Sequence, residues 1–526
     1  MIVLIHQKTQ QVLKVLKGIA RLEISSANCT EAFWELAEKF PDEIIAWCEE
    51  KYVNDLNMEQ WPQIFHHDLI MASYSIENVF LPDSIGYIDQ LPFVNVNRKI
   101  LYGTWQMSSD VGGIKGDTLL RFKPLLKNIK DFNPLLNSIA KLGQQNGLFC
   151  YSAPHLVKKN ISPSRKYIAS DIQLFHFVNQ HYKTIRTIIL LWCLFRYERR
   201  LPILAFIKSI FVDKLLNKHI DLRKIEVNST KIFTRSNSLD VIIPTMGRSM
   251  HLLQVVKDLS LQSLLPKKLI IVEQNPDTGS VSELDDLNEY NWPFEIKHFF
   301  IHKTGACNAR NIALQNVTSD WVFFCDDDNR IEKDIIQNAL SEIKRLGANM
   351  VSTAYRQMNE PLVFKHIKQW GTFGAGNSIV ARSYIEGITF SSIFEHGYGE
   401  DKDFGMQLRN AGCDIIYHPE IEILHLKAPM GGFRQKPKLL WEMEKQVSKP
   451  SPTLMALAIR YYTKEQIVGF KTSLYLKYYD KQSVKNPFSY IREMNKSWHK
   501  SEKWAKKLIN SEKGIGDDFQ VITEIK

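Results

Sequence analysis

Short apolar runs alternate with helix-period stretches along most of this chain. Ile2–Ile5 is continuously apolar and predicts a first strand, and a helix is expected over Glu31–Lys39 and a strand over Glu43–Trp47. Residues 1–155 therefore read as an α/β unit. Within it, Trp105–Ile114 contains Ser-Ser-Asp and Gly-Gly and reads as a surface loop. Residues 156–236 open on the turn-rich Ser162-Pro-Ser164 and become helical and basic. Lys183, Arg186, Arg196, Arg199, Arg200, Lys208 and Lys214 surround the apolar stretches Ile188–Phe195 and Leu201–Val212. That pattern suits a helical linker packed between domains or a helix lying on an anionic membrane surface.

From residue 237 the pattern changes. Buried-strand runs are expected at Leu239–Pro244, Lys268–Val272, Phe299–Ile301 and Trp321–Cys325, separated by helical stretches. Leu252, Val255, Val256 and Leu259 mark one helix face, and Gly305–Asn311 opens another helix. Repeated β-α units with fully apolar strands predict a mostly parallel sheet covered by helices on both faces. Later come a strand at Ser378–Ala381, a helix over Phe404–Asn410 and a strand at Ile421–Leu424. Residues 433–526 predict helices over Thr453–Tyr462, Glu465–Tyr479 and Tyr490–Leu508. Their tyrosines Tyr461, Tyr462, Tyr475, Tyr478 and Tyr479, beside Lys471, Lys477 and Lys481, suit a headgroup interface as well as a helical cap. No internal repeat is visible.

Composition narrows the class. Apolar residues are 44% and charged residues 24% of 526, which excludes a disordered or collagen-like chain. Seven dispersed cysteines, with no Cys-x-x-Cys pair, read as buried thiols of a cytosolic protein. Met1–His6 lacks the basic region and cleavage site of a signal peptide. The longest apolar run, Ile188–Phe195, is far below the roughly 20 residues of a membrane span. The net charge of +10 favours anionic partners. No nucleic-acid module accompanies it, so nucleic acid is not expected.

The polar clusters Met246–Ser249, Glu273–Pro276, Gly305–Asn311 and Asp326–Asp328 fall at the carboxyl ends of expected strands, where sheets of this kind bind ligands. Asp326-Asp-Asp328 follows Trp321–Cys325. Three carboxylates there repel one another unless a cation neutralises them, and oxygen ligands suit Mg²⁺ or Mn²⁺. Neither a P-loop nor a G-x-G-x-x-G fingerprint occurs. Gly374-Ala-Gly-Asn377 lets backbone approach a ligand, Glu400, Asp401 and Asp403 open a helix, and His425 ends a late strand.

In this order the motifs resemble the family 2 glycosyltransferases. They are Val241-Ile-Ile-Pro-Thr245 with Arg248, Ile270–Glu273, Gly305 with Ala309-Arg-Asn311, Phe324–Asp328, Gly374–Asn377, Gly399–Asp403 and His425. The resemblance implies a GT-A fold for residues 237–432 and an inverting enzyme that uses a nucleotide sugar. It assigns Asp326, Asp328 and His425 to a Mn²⁺ or Mg²⁺ ion. It assigns Thr245, Arg248, Glu273, Gly305, Arg310, Asp326 and Asp327 to the donor, Asp401 to the catalytic base and Glu400 to the acceptor. Relatives usually carry Asp where this chain has Glu273, which leaves the nucleobase open, with a uridine nucleotide expected. The implied acceptor is a glycan or lipid-linked hydroxyl in bacterial surface polysaccharide synthesis, in the cytoplasm or at the inner membrane face. Two other readings use the same sheet: a non-catalytic nucleotide- or glycan-binding protein, and a sugar nucleotidyltransferase. Residues 1–155 match none of these motifs and read as an accessory α/β domain or a degenerate sugar-transferase unit.

Overall fold

The computed structural model describes residues 1–158, 165–428 and 438–512. The turn at Ser162–Ser164 and the expected boundary between residues 432 and 433 lie outside the described residues. The first lobe contains β1 (Ile2–Gln7), β2 (Gln11–Lys17), β3 (Ala20–Leu22), β4 (Ile44–Glu49), β5 (Ile70–Tyr74), β6 (Asn78–Val79), β7 (Tyr102–Gly103), β8 (Val111–Lys115) and β9 (Phe149–Ser152). Its helices are α1 (Cys29–Lys39), α2 (Trp61–Ile64), α3 (Gly116–Leu120), α4 (Lys123–Leu126) and α5 (Phe132–Gln145). Eight strands form one sheet in the order β3-β2-β1-β4-β8-β5-β9-β7, and β6 pairs apart with β10 (Lys166–Tyr167).

Trp105–Ile114 is not a surface loop. Trp105 is fully buried, and Val111–Ile114 belongs to β8, a central strand between β4 and β5. The glycines that read as a turn instead make room for aromatic rings: a Cβ at Gly112 would collide with the Trp47 indole.

Helices α6 (Asp171–His181), α7 (Thr184–Glu198) and α8 (Ile203–Ile210) follow, and residues 211–237 run without helix, so the linker is helical only in part. Ser170 caps α6 through a reciprocal bond pair with Gln173. The helix packs on the first lobe, with Phe177 stacked on Trp105. The non-helical strap then bonds both lobes: Thr230 N donates to His66 O at 2.8 Å and Ser229 N to Arg345 O at 2.9 Å.

The second lobe holds β11 (Leu239–Thr245), α9 (Ser249–Ser260), β12 (Lys268–Gln274), β13 (Glu295–Ile301), α10 (Ala306–Leu314), β14 (Trp321–Cys325) and β15 (Asn329–Arg330). It continues with α11 (Ile335–Leu346), β16 (Met350–Arg356), β17 (Lys368–Gln369), β18 (Asn377–Ala381), α12 (Glu400–Asn410) and β19 (Ile416–His425). The sheet order is β13-β12-β11-β14-β18-β16-β19-β15, with β17 on β19. Strands β11 to β14 are mutually parallel and β18 runs against both neighbours. This is a mixed α/β sheet, parallel from β13 to β14. Strands β11, β12, β14 and β18 are buried almost throughout, which accounts for their continuous apolar runs, whereas the edge strand β13 is partly exposed. The chain closes with α13 (Pro452–Tyr461), α14 (Lys464–Tyr479) and α15 (Pro487–Glu512).

The C-terminal tyrosines are mostly spent inside the protein rather than at a headgroup interface. Tyr461 OH donates to Asp403 at 2.8 Å, Tyr475 OH to Asn495 at 2.9 Å and Tyr479 OH to Lys485 O at 2.9 Å. All seven cysteines are buried and unpaired. Among the described residues no helix is long and apolar enough to cross a membrane.

One side chain joins the lobes as a strand would. Gln369 Oε1 accepts from Cys150 N at 2.8 Å and from Gln144 Nε2 at 2.9 Å, and its Nε2 donates to Cys150 O at 3.1 Å and Asp414 at 2.6 Å. Replacing it with Leu strands the Cys150 N–H and the Gln144 amide, while the Cys150 carbonyl keeps only its bond from Thr104 N at 2.9 Å. Each buried unsatisfied group costs about 1–3 kcal/mol. Gln369→Leu is expected to lower the thermal midpoint by several degrees, measured by scanning calorimetry.

Candidate active site

The carboxyl ends of β11, β12 and β14, the loop before β18 and the start of α12 meet at a cavity of about 410 Å³. Asp326, Asp327 and Asp328 follow β14 directly, and they do not share one environment. Asp327 is buried, and its oxygens accept from Thr245 Oγ1 and Arg248 Nη1, both at 2.7 Å. Burial pushes its carboxyl up to about 6, with Arg248 and Thr245 pulling the other way. Asp328 accepts from Arg248 at 3.2 Å and Ala428 N at 2.9 Å, and its Oδ1 lies 3.4 Å from His425 Nε2. Burial raises that carboxyl too, but the bonds from His425 and the Ala428 amide outweigh it and hold it below the ordinary range. Asp326 accepts from Arg310 Nη2 and the Tyr355 hydroxyl, both at 3.1 Å.

Asp401 is the second residue of α12, and it lines the same cavity with Glu400. Burial, then the Glu400 charge, push its carboxyl up to about 7, and Arg310 opposes them. Arg310 thus serves two groups, the strand-end Asp326 and the helix-start Asp401. Gly305 also lines the cavity, and its N–H donates to Gln274 Oε1 at 2.6 Å. It must be glycine: its φ is +142°, and a Cβ there would collide with the Glu395 carboxylate.

One expected donor contact fails. Glu273 faces away from the cavity, where its carboxylate accepts from Ser282 Oγ at 2.6 Å and Glu283 N at 2.8 Å and lies 3.0 Å from His298. Successive strand residues face opposite sides, so its neighbour Gln274 lines the cavity instead. Asp403 is likewise not a site residue. It is fully buried, accepting from Arg460 at 3.0 Å and Tyr461 at 2.8 Å, and ties α12 to α13.

Sequence reasoning passed over three residues. Glu395 accepts from Cys307 N at 3.0 Å and Asn308 N at 2.8 Å, so it caps the start of α10 from a distant loop. Tyr355 stacks on His425 with ring centroids 4.5 Å apart while its hydroxyl holds Asp326. Gln274 is the third. No local signal marks Glu395 or Tyr355, whereas strand alternation could have located Gln274.

Among the described residues no three His, Cys, Asp or Glu side chains converge as a ready-made metal cage. The donor set nevertheless fits Mg²⁺ or Mn²⁺, which commonly take one or two carboxylates and draw the remaining oxygens from substrate phosphates. Asp328 and His425 already stand side by side, and Asp326 lines the same cavity.

Residues 240–394 match the family model described as glycosyl transferase family 2. That segment, β11 through the residues before α12, is similar to the family 2 glycosyltransferases. Similar proteins include an uncharacterized glycosyltransferase of Rickettsia conorii, 26% identical over 134 residues, which are 26% of this chain and 20% of that protein. The succinoglycan biosynthesis protein ExoM of Rhizobium meliloti is 27% identical over 167 residues, covering 29% of this chain and 54% of that one. The chain thus spans between a fifth and about half of the length of these relatives. Among solved structures, S. aureus TarS in complex with UDP-GlcNAc aligns over 55% of this chain and 100% of that chain, at 14% identity and a TM-score of 0.36.

The raised carboxyl of Asp401 makes a stability prediction. A carboxyl whose folded value lies above its unfolded value favours the protonated native state, and stability is lost as pH rises through that window. For Asp401 the window runs from about 4 to about 7. Asp401→Asn removes this loss, so the thermal midpoint of the mutant minus that of the wild type should grow by a few degrees between pH 5 and pH 8. A difference that stays flat across that range would contradict the buried-carboxylate assignment.

Proposed function

We propose that this chain transfers a sugar from a nucleotide-sugar donor, a uridine nucleotide first among the candidates, to a hydroxyl of a glycan or lipid-linked acceptor, with inversion. The observation that carries the reading is one cavity that presents a helix-start carboxylate, Asp401, and strand-end aspartates together, with Arg310 between them. Asp401 takes the proton of the acceptor hydroxyl as that oxygen bonds to the anomeric carbon and the bond to the nucleoside diphosphate breaks. Its raised carboxyl suits a base working near neutral pH. Arg248 and Arg310 place positive charge where the diphosphate leaves. Asp326, Asp328 and His425 would hold a Mg²⁺ or Mn²⁺ ion, which supplies Lewis-acid charge for the leaving group. Glu400, beside the base, is positioned for the acceptor.

The setting we propose is an anionic membrane surface. Helices α7 and α8 leave a large apolar face in water: Trp192 is 53% exposed, Leu204 75% and Phe211 83%, with Ile188, Phe195 and Ile207 about half exposed. Patches of this extent on soluble proteins mark interaction surfaces. Lys183, Arg196, Arg199 and Lys208 flank this one, which matches an acidic headgroup layer. Helix α14 packs beside α7, with Arg186 donating to Ser473 at 3.0 Å. The following turn and α15 add Phe488, 83% exposed, and Lys485.

Two experiments test these readings. Release of nucleoside diphosphate from a panel of nucleotide sugars, with Mg²⁺ or Mn²⁺, should fall about a thousandfold in Asp401→Asn with donor affinity nearly unchanged. Asp328→Ala should instead lose metal-dependent donor binding. No release and no donor binding across the panel would leave a binding protein on the same fold. In co-sedimentation, the chain should pellet with vesicles containing phosphatidylglycerol, more weakly at high salt, and Trp192→Glu with Leu204→Glu should abolish this. Equal pelleting of that double variant would rule the surface out.

A further inference from the structure

The two sheets share one plan. In the first lobe β1 is parallel to β4, β4 antiparallel to β8, β8 antiparallel to β5, β5 parallel to β9 and β9 antiparallel to β7. In the second lobe the same relations hold for β11, β14, β18, β16, β19 and β17, in the same chain order. The registers agree residue by residue. Cys48 pairs with Val111 as Cys325 pairs with Asn377, and Ile44 with Lys115 as Trp321 with Ala381. Met71 pairs with Ile114 as Met350 pairs with Val380. In this frame Glu49-Glu50-Lys51 stands where Asp326-Asp327-Asp328 stands.

Helix α5 lies between β8 and β9 as α12 lies between β18 and β19, and the second residue of α5 is Asn133 where that of α12 is Asp401. A cavity of about 760 Å³ occupies the equivalent place, lined by Gln10, Glu49, Glu50, Lys51 and Asn133 among others. The Asn133 side chain is buried, and its Oδ1 has no hydrogen-bond partner. A buried amide oxygen left unpaired is costly unless a ligand satisfies it.

Two differences decide what the cavity takes. After β1 the chain returns as an antiparallel hairpin, so the first lobe has no counterpart of α9 or of the β12 end that carries Gln274 and Pro276. The nucleoside half is gone. Lys51 replaces the third aspartate and pairs with Glu77, and Asn133 cannot accept a proton as a carboxylate base does. The side chains around the cavity include the amides Gln7, Gln10 and Asn133, groups that both donate to and accept from hydroxyls, while Asn28, Asn78 and Gln173 are engaged within the protein. We infer that the first lobe is a second carbohydrate site, which holds sugar residues of the acceptor glycan and does not transfer them. This inference rests on the glycosyl-transfer reading above.

The test uses the full chain on an array of di- to hexasaccharides built from glucose, galactose, mannose, rhamnose and N-acetylhexosamines. At least one class should bind wild type and Asp401→Asn alike. Gln10→Trp, which fills the cavity mouth from an exposed position, and Asn133→Ala should each weaken that binding about tenfold with an unchanged thermal midpoint. The inference is overturned if no oligosaccharide binds, or if binding survives both first-lobe variants. A UDP titration that finds a second equivalent, lost in Gln10→Trp, overturns it in favour of a nucleotide site. Donor hydrolysis by the same wild-type preparation judges the transferase reading separately.

Discussion

Six carboxylates, Asp326, Asp327, Asp328, Glu395, Glu400 and Asp401, line one cavity, and the guanidinium groups of Arg248 and Arg310 pair with the three strand-end ones. Like charges at this density in a poorly solvated cleft would otherwise force each other to protonate or force the strand ends apart. The solution is graded. Arg248 and Thr245 occupy the middle of the three strand-end acids, Asp327. Asp328 and His425 share an edge of the cavity, and burial and the Glu400 charge keep the Asp401 carboxyl raised against Arg310, which also serves Asp326. The roles of the acids follow from how the two arginines are distributed among them.

The second lobe was legible because its chemistry lies where the sheet must place it. Buried parallel strands are continuous apolar runs, and their polar ends converge at the carboxyl edge. What failed were judgements finer than an element. Glu273 and Gln274 are adjacent and both polar, and only the strand's alternation separates the residue facing His298 from the one facing the cavity. The glycines near Gly112 looked like a turn because sequence does not reveal whether a missing side chain serves a bend or an indole. The tyrosines beside α14 looked interfacial because a hydroxyl partner such as Asn495 lies on another helix.

The kinship of the two lobes showed in the sequence only as one of two readings, a degenerate sugar-transferase unit, with no visible repeat, for a related reason. Strand order and register are fixed by which strands pair, and almost any apolar strand can satisfy a given pairing. Residues that would betray a common plan are those with chemical work, and in the first lobe these have changed. Lys51 stands for an aspartate, Asn133 for the carboxylate of Asp401, and a hairpin for a helix crossover. Only the pairing registers preserve the correspondence.

Helix α12, which carries Glu400 and Asp401, is held by parts of the chain outside the family match. That match ends at residue 394, before α12 begins. At its start, Asp403 is clamped by Arg460 and Tyr461 of the C-terminal helices. At its far end, the Arg409 guanidinium lies 5.0 Å from the Phe93 ring of the first lobe and 3.4 Å from Asp414, which also receives Gln369 from the interlobe joint. A helix start that is to carry the proposed base must be rigid on the scale of a hydrogen bond. Here contacts from both neighbours, the first lobe and the C-terminal helices, fix the helix that positions Asp401.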